Sequence, residues 1–215
     1  MARRVTINEK TIEQIMSSLN DELSSMIRKV GAEIIEVLKY ILKIEMNISS
    51  STRVDEDKGF ANSLKIYVII RLVTMLETTC RGAFILLIDE FDKDFDSVIE
   101  TSFNNLKTIN KEQKITLGQI VASSLNFQKF ESSDKELDVF KIFSKVLGFD
   151  VFAKLVEMNS DMPQFRQTIE ELVNERHRLV HEVSSTDWDI KKLELCFSSV
   201  FKFLKSFGDM IRANR

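Results

Sequence analysis

Two histidines and an arginine lie within one short stretch of the chain, and their types and spacing are those best suited to chemistry. His177 and His181 are the only histidines in the sequence, and Arg176 precedes the second of them by five positions. Histidine titrates near neutral pH, so it can give or take a proton there. Arginine is permanently charged and grips phosphate through paired hydrogen bonds. No other cluster in the sequence offers comparable chemistry.

Three interpretations of this stretch are open. In the first, the side chains are surface or capping residues near the end of a helix, where cations are favoured. In the second, His177 and His181 belong to a metal-dependent hydrolase, because positions i and i+4 share a helix face as two ligands would. Glu182 follows, but no cysteine or third histidine is available, and Arg176 and Arg178 would raise the cost of a dication.

The third interpretation is cleavage of RNA without a metal ion. The 2′-hydroxyl of a ribose attacks the adjacent phosphate, which requires a base, an acid and a positive charge to neutralise the developing negative charge. Arg176 and His181 do not share a helix face, but His181 lies where the helix must end before Ser184 and Ser185. A loosened last turn is expected to bring the two side chains together.

Basic residues close to the histidines extend the candidate site. Arg178, Lys191 and Lys192 are predicted to bind the substrate, and the alternative is that the lysines belong to a solvated helix face. The net charge of the chain is −3, so contact with RNA must depend on such a local patch rather than on the field of the whole protein.

The elements that position these residues are predicted to be helices. One proline and six glycines are very few for 215 residues, whereas sheets need frequent turns rich in both. With 44% hydrophobic residues the chain has ample material for a core. No repeat, low-complexity tract or linker divides the sequence. Residues 1–215 are therefore predicted to form a single all-α domain, with a long N-terminal helix over about 8–47 and a core over about 60–213.

A polar stretch separates these two parts. Residues 49–59 have nothing to bury and are predicted to form a loop. Residues 60–91 are predicted to form a buried helix at the centre of the bundle, because apolar side chains occur on nearly all of its sides. Glu77 and Arg81 lie within it at i, i+4 spacing, so they could form an internal ion pair.

Shorter helices are predicted for the second half of the chain. They cover residues 96–106, 117–125, 135–147 and 150–157, then a stretch from 161–163 to 181, and a last helix to about 212. Gly148 is placed to end one of them in a left-handed conformation, and Thr186 is placed to cap the last one. Eight apolar residues of the last helix are predicted to face inward: Leu193, Cys196, Phe197, Val200, Phe201, Leu204, Phe207 and Ile211.

Cysteine usage and apolar runs indicate a cytoplasmic protein. Cys80 and Cys196 are far apart and have no neighbouring metal ligands, so they are predicted to be reduced core thiols. The start of the sequence lacks the apolar stretch of a secretion signal. The most apolar run, residues 83–88, is far shorter than the ~20 residues of a membrane span, and no membrane partner is expected.

The sequence Arg-His-Arg-Leu-Val-His at 176–181 resembles the signature of HEPN domains: an arginine, a polar residue, three more residues and a histidine. In that family the motif closes the penultimate core helix, and a final amphipathic helix follows. The apolar stretch 72–77, which ends in an embedded acid, is also similar. So is the stretch 147–152, which resembles HEPN domains of the RiboL-PSP type. The resemblance covers about residues 60–215.

This resemblance implies an antiparallel helical bundle that forms a homodimer, with two motifs facing one cleft. Active members are metal-independent endoribonucleases of toxin–antitoxin and phage-defence systems. The resemblance therefore implies RNA as substrate, no cofactor, an antitoxin as a possible partner, Arg176 and His181 as the catalytic pair, and His177 as their polar support. Other members are non-catalytic helical interaction modules, which is the alternative function. Some relatives paired with nucleotidyltransferase antitoxins carry a tyrosine where this chain has Val183, which argues against such a pairing.

Overall fold

The computed structural model describes residues 21–89, 139–162, 164–181 and 185–213, together with Gln119. This part of the chain contains no strand, and it forms six α-helices: α1 (Asp21–Asn47), α2 (Val54–Asp89), α3 (Val139–Leu147), α4 (Val151–Met158), α5 (Phe165–His181) and α6 (Ile190–Ala213). A 3₁₀ turn, Ile48–Ser50, follows α1. The predicted all-α fold is confirmed.

Helix α2 lies at the centre and packs against α1, α5 and α6. Near one end Glu45 of α1 pairs with Lys65, and further along Glu33 pairs with Arg71, so α1 and α2 run antiparallel. A short connection joins α5 to α6, and these two helices also pack against each other. The buried side chains of α2, such as Val68, Ile69, Leu72 and Val73, form one broad face that packs against the neighbouring helices.

Phenylalanines join the short helix α3 to the rest of the core. The ring of Phe143 lies 3.8 Å from that of Phe84 on α2 and 5.0 Å from that of Phe207 on α6, measured between ring centroids. Phe140 contacts Phe203 at 5.8 Å. Such aromatic pairs each contribute about 0.5–1.5 kcal/mol beyond the area they bury. The core therefore extends across α2, α3 and α6 without a break.

The predicted loop over residues 49–59 is wrong for its second half, because α2 already begins at Val54. Three acidic residues, at positions 55–57, occupy the first turn, where carboxylates interact favourably with the helix dipole. The hydroxyl of Ser51 also donates a hydrogen bond to the carboxylate of Asp57. The polar composition of this stretch is thus that of a helix start, and the central helix begins at residue 54 rather than 60.

Two further helix starts differ from the prediction. Helix α5 begins at Phe165 rather than at 161–163, because Gln164 has a φ of +66° and so cannot continue a right-handed helix. Helix α6 begins at Ile190 and is capped by Asp189, whose carboxylate accepts a hydrogen bond of 2.8 Å from a backbone amide of the first turn. Thr186, the predicted cap, has a different set of partners.

Several predictions about helix ends and faces are confirmed. Gly148 has a φ of +79°, and its amide donates to the carbonyl of Ser144 at 2.8 Å, so it ends α3 in the left-handed conformation. All eight residues predicted to face inward on α6 are buried. Cys80 and Cys196 are buried free thiols. Burial, helped by nearby Glu77, raises the pKa of the Cys80 thiol, and burial raises the pKa of Cys196 to about 12.

Some predictions concern other parts of the chain. The start of the N-terminal helix, residues 8–20, and the short helices over 96–106 and 117–125 lie outside the described residues, apart from Gln119, which is helical. By length and hydropathy alone, the segment Val54–Ile88 is apolar enough to cross a membrane, a test that the core helix of a soluble protein also passes. In the structure 39% of its apolar window is buried, and the helix packs against α1, α5 and α6.

Candidate functional site

The last two turns of α5 carry the two histidines and both neighbouring arginines. Helix α5 continues through His181, so the loosened last turn expected from the sequence is not present. Instead His177 and His181, one turn apart, share a face, and their ring centroids are 4.6 Å apart with the ring planes inclined by 49°. The two imidazoles thus form a contact pair within one chain.

The two histidines of this pair differ in their exposure. His181 is exposed, whereas the Nδ1 atom of His177 is buried and has no hydrogen-bond partner among the described residues. A group that exchanges protons with a ligand must be reachable from the side on which the ligand binds. His181 meets this requirement, whereas His177 is only partly exposed and packs against its ring.

Arg176 directly precedes His177 on α5, and its side chain is only loosely held. Its Nη2 atom is 3.9 Å from Oε1 of Glu77, a distance that leaves an ion contact but no hydrogen bond. The two side chains are 25% and 20% exposed. Within the described part of the chain, the guanidinium of Arg176 makes no hydrogen bond. Its donors are therefore available to an anion that approaches α5.

Glu77, in the second half of α2, is the acidic residue of the site, and its carboxylate contacts Arg176 on α5. The sequence suggested a pair between Glu77 and Arg81 on the same helix, but the ion contact that the structure gives Glu77 is with Arg176 on α5. A carboxylate within a largely apolar helix was the sequence signal that Glu77 has a charged partner. Its partner could not be read from that signal, because the contact depends on how α2 and α5 pack.

Arg178, predicted to bind the substrate, is instead engaged in a network inside the protein. Its Nε and Nη2 atoms donate to the two carboxylate oxygens of Glu175 at 2.8 and 2.7 Å, and Nη2 also donates to the carbonyl of Ser185 at 2.8 Å. Thr186 donates its hydroxyl to the same carboxylate at 2.7 Å. The hydrogen bond from Arg178 lowers the pKa of Glu175; burial opposes it, and the bond from Thr186 adds to it.

The two predicted lysines differ in their surroundings. The ammonium of Lys192 pairs with the carboxylate of Glu171 and lies 5.5 Å from the ring centroid of Trp188. The hydrogen bond from Lys192 in turn lowers the pKa of Glu171. Lys191 is exposed. Of the three residues predicted to bind the substrate, Lys191 alone extends into solvent, and the other two are held by carboxylates of α5.

Among the described residues, which do not include Glu182, the two histidines are not joined by a third possible metal ligand. Within the ranges that the structure describes, no three side chains of histidine, cysteine, aspartate or glutamate come close enough together to hold one. The structure shows two contacts here, one between the two imidazoles and one between the guanidinium of Arg176 and the carboxylate of Glu77. These groups can exchange protons and can neutralise a phosphate.

Comparison with known proteins identifies one family. The profile described as RiboL-PSP-HEPN matches residues 31–213, which is most of the chain and includes every residue of the site. No curated protein matches the chain, and no solved structure does.

Proposed function

Since the chain belongs to the RiboL-PSP-HEPN family, we propose that it is a metal-independent endoribonuclease of a toxin–antitoxin or phage-defence system. The reaction is attack of a ribose 2′-hydroxyl on the adjacent phosphate. The observation that carries the proposal is the last part of α5, where an exposed imidazole lies on the same two turns as an arginine whose donors are available. They supply a group for proton transfer and a positive charge, which are two of the three groups that the reaction requires.

Each side chain has a definite part in this reaction. His181 takes the proton of the attacking hydroxyl or gives one to the leaving oxygen. Arg176 binds the phosphate and neutralises the charge that develops on it. Glu77 orients Arg176 from α2 without occupying its hydrogen-bond donors, because the two groups are 3.9 Å apart. His177 packs against the ring of His181 and limits its rotation.

The chemistry of this reaction gives the first prediction. An RNA that carries a single 2′-deoxy substitution at the cleaved nucleotide should remain uncut, and the products of the unmodified RNA should end in a 2′,3′-cyclic phosphate and a 5′-hydroxyl. EDTA should not slow the reaction, because Arg176 supplies the positive charge that a metal ion supplies elsewhere. Gel analysis of labelled RNA measures cleavage of the deoxy substrate and the effect of EDTA. Mass spectrometry of the products identifies their ends. Cleavage of the deoxy substrate, or inhibition by EDTA, contradicts the mechanism.

A homodimer would complete the site. One chain supplies one exposed histidine, whereas the reaction needs both an acid and a base, so two chains that bring two motifs together would supply the pair. Val180, which precedes His181, is 49% exposed in the single chain. Val180 lies on the same turn of α5 as His181, so a dimer that brings two motifs together would place it in or beside the interface.

Replacing Val180 with lysine should therefore convert the dimer to a monomer, because it places two like charges in the interface. Light scattering coupled to size exclusion, at micromolar concentration, measures the mass of each form. Met158→Lys is the matched control, since Met158 is also an exposed apolar residue near the carboxyl end of a helix and lies on α4, away from the motif. That variant should stay dimeric. A wild-type protein that is monomeric contradicts the shared site.

The alternative function is a non-catalytic helical interaction module. The observation that favours it is the pairing of Arg178 and Lys192 with carboxylates of α5, which leaves less free positive charge for RNA than the sequence suggested. Such a module should be inert on RNA, and it should still bind its protein partner after Arg176 or His181 is replaced by alanine.

A further inference from the structure

Thr186, in the connection between α5 and α6, forms hydrogen bonds with both α2 and α5. Its amide donates to the side-chain carbonyl of Asn62 on α2 at 3.0 Å, and its hydroxyl donates to the carboxylate of Glu175 on α5 at 2.7 Å. The carbonyl of the preceding residue, Ser185, accepts from Arg178. Thr186 thus links α2, α5 and the segment that leads into α6.

Glu175 is the centre of this link, because both oxygens of its carboxylate accept hydrogen bonds. The residue is only 9% exposed, and both of its carboxylate oxygens accept hydrogen bonds from Arg178, one of them also from Thr186. A paired fork of this kind is strong and geometrically specific, because both donors of the planar guanidinium must be aligned with the carboxylate. Glu175 directly precedes Arg176, and Arg178 lies one turn before His181.

We propose that Glu175, Arg178 and Thr186 form a positioning clamp, which holds the last turn of α5, and with it His181, in place against α2. The inference rests on the proposed nuclease function, since a clamp on His181 matters for catalysis only if His181 acts there. The last turn of a helix lacks hydrogen-bond partners for its carbonyls and tends to fray. The clamp ties that turn to α2, the helix that also carries Glu77. None of its three residues needs to touch the RNA.

The clamp predicts a split between kcat and KM. Thr186→Val keeps the shape of the side chain but removes the hydroxyl, so His181 loses its fixed position while Arg176 still binds phosphate. We expect kcat to fall roughly 10-fold or more, because small misplacements of a catalytic group are costly, and KM to change less than about twofold. Thr186→Ser keeps the hydroxyl and should retain the wild-type kcat.

A second measurement tests whether the clamp holds the last turn of α5, and it does not depend on catalysis. Amide hydrogen exchange of residues 178–181 should be faster in Thr186→Val than in the wild type, and unchanged in Thr186→Ser, because only the first variant frees the last turn. If the wild type cuts no RNA but this exchange pattern appears, the clamp stands and the nuclease function fails. If the wild type cuts RNA while Thr186→Val keeps both its kcat and its protection, the clamp is overturned.

A variant at the other end of the bundle controls for a general loss of stability. Ser206 of α6 is buried, and its hydroxyl exchanges hydrogen bonds with the side chain of Asn159 at 3.0 and 3.3 Å. Ser206→Ala also removes a hydrogen-bonded hydroxyl, from a position about four turns into α6 and so far from Thr186. It should leave kcat and the exchange of residues 178–181 unchanged. If kcat fell equally in Ser206→Ala and Thr186→Val, global stability rather than the clamp would set the rate.

Discussion

Replacing His181 with alanine should lower the rate of RNA cleavage by about 10²–10⁴-fold, which is the contribution of a positioned acid or base. The protein should keep its fold, because His181 is exposed and a substitution of such a residue changes the free energy of unfolding by less than about 0.5 kcal/mol. The measurements are the rate of cutting of single-stranded RNA in EDTA and a thermal denaturation curve. If expression of the wild type arrests growth, the same substitution should relieve the arrest.

Asn174 offers the matched control for this experiment. It is an exposed residue on the same helix, two turns before His181, and no side-chain hydrogen bond or ion pair of the described residues involves it, so the Asn174→Ala protein should cut RNA at the wild-type rate. A His181→Ala protein that cuts RNA nearly as fast as the wild type would show that another group moves the proton. A wild type that neither cuts RNA nor arrests growth would favour the interaction module.

The helical architecture was predictable because it follows from periodicity. Apolar residues spaced by three and four identify one face of a helix, and the inward face predicted for α6 is buried as a whole. The ends of helices were less predictable. Helix α5 starts after Gln164 because of a positive φ, and α2 starts at Val54, inside a stretch whose polar residues resembled a loop. Both starts depend on local backbone geometry and hydrogen bonds, which leave little trace in a hydrophobic pattern.

The candidate site was predictable in its residue types but not in its contacts. The spacing of Glu175 and Arg178 is that of an i, i+3 ion pair, so their contact could have been read from the sequence. The contact of Arg176 with Glu77 joins residues about a hundred positions apart and exists only because α2 and α5 pack together. For that reason the sequence identified two arginines beside the histidines but could not tell which of them is available to a ligand.

The two arginines therefore give the second large prediction, since equal substitutions should have different effects. Arg176→Ala should reduce cleavage by about 10²–10³-fold, which is the usual loss when one donor to a developing negative charge is removed. Its stability should change little, because the contact with Glu77 is long and partly exposed. Arg176→Lys should not restore activity, since an ammonium cannot make the paired hydrogen bonds of a guanidinium. Cleavage rates and denaturant unfolding measure both effects.

Arg178→Ala should be destabilising, by about 1–3 kcal/mol, because it leaves the carboxylate of Glu175 buried without its paired donors. The loss should shrink when Glu175→Gln is made first, since no buried charge then remains to be compensated. The corresponding pair on the other arginine, Arg176→Ala with Glu77→Gln, should show much less coupling, because the contact between Arg176 and Glu77 is 3.9 Å long. If Arg178→Ala left the free energy of unfolding unchanged while Arg176→Ala lowered it, the two arginines would have exchanged roles, and Arg178 would be the one that binds the phosphate.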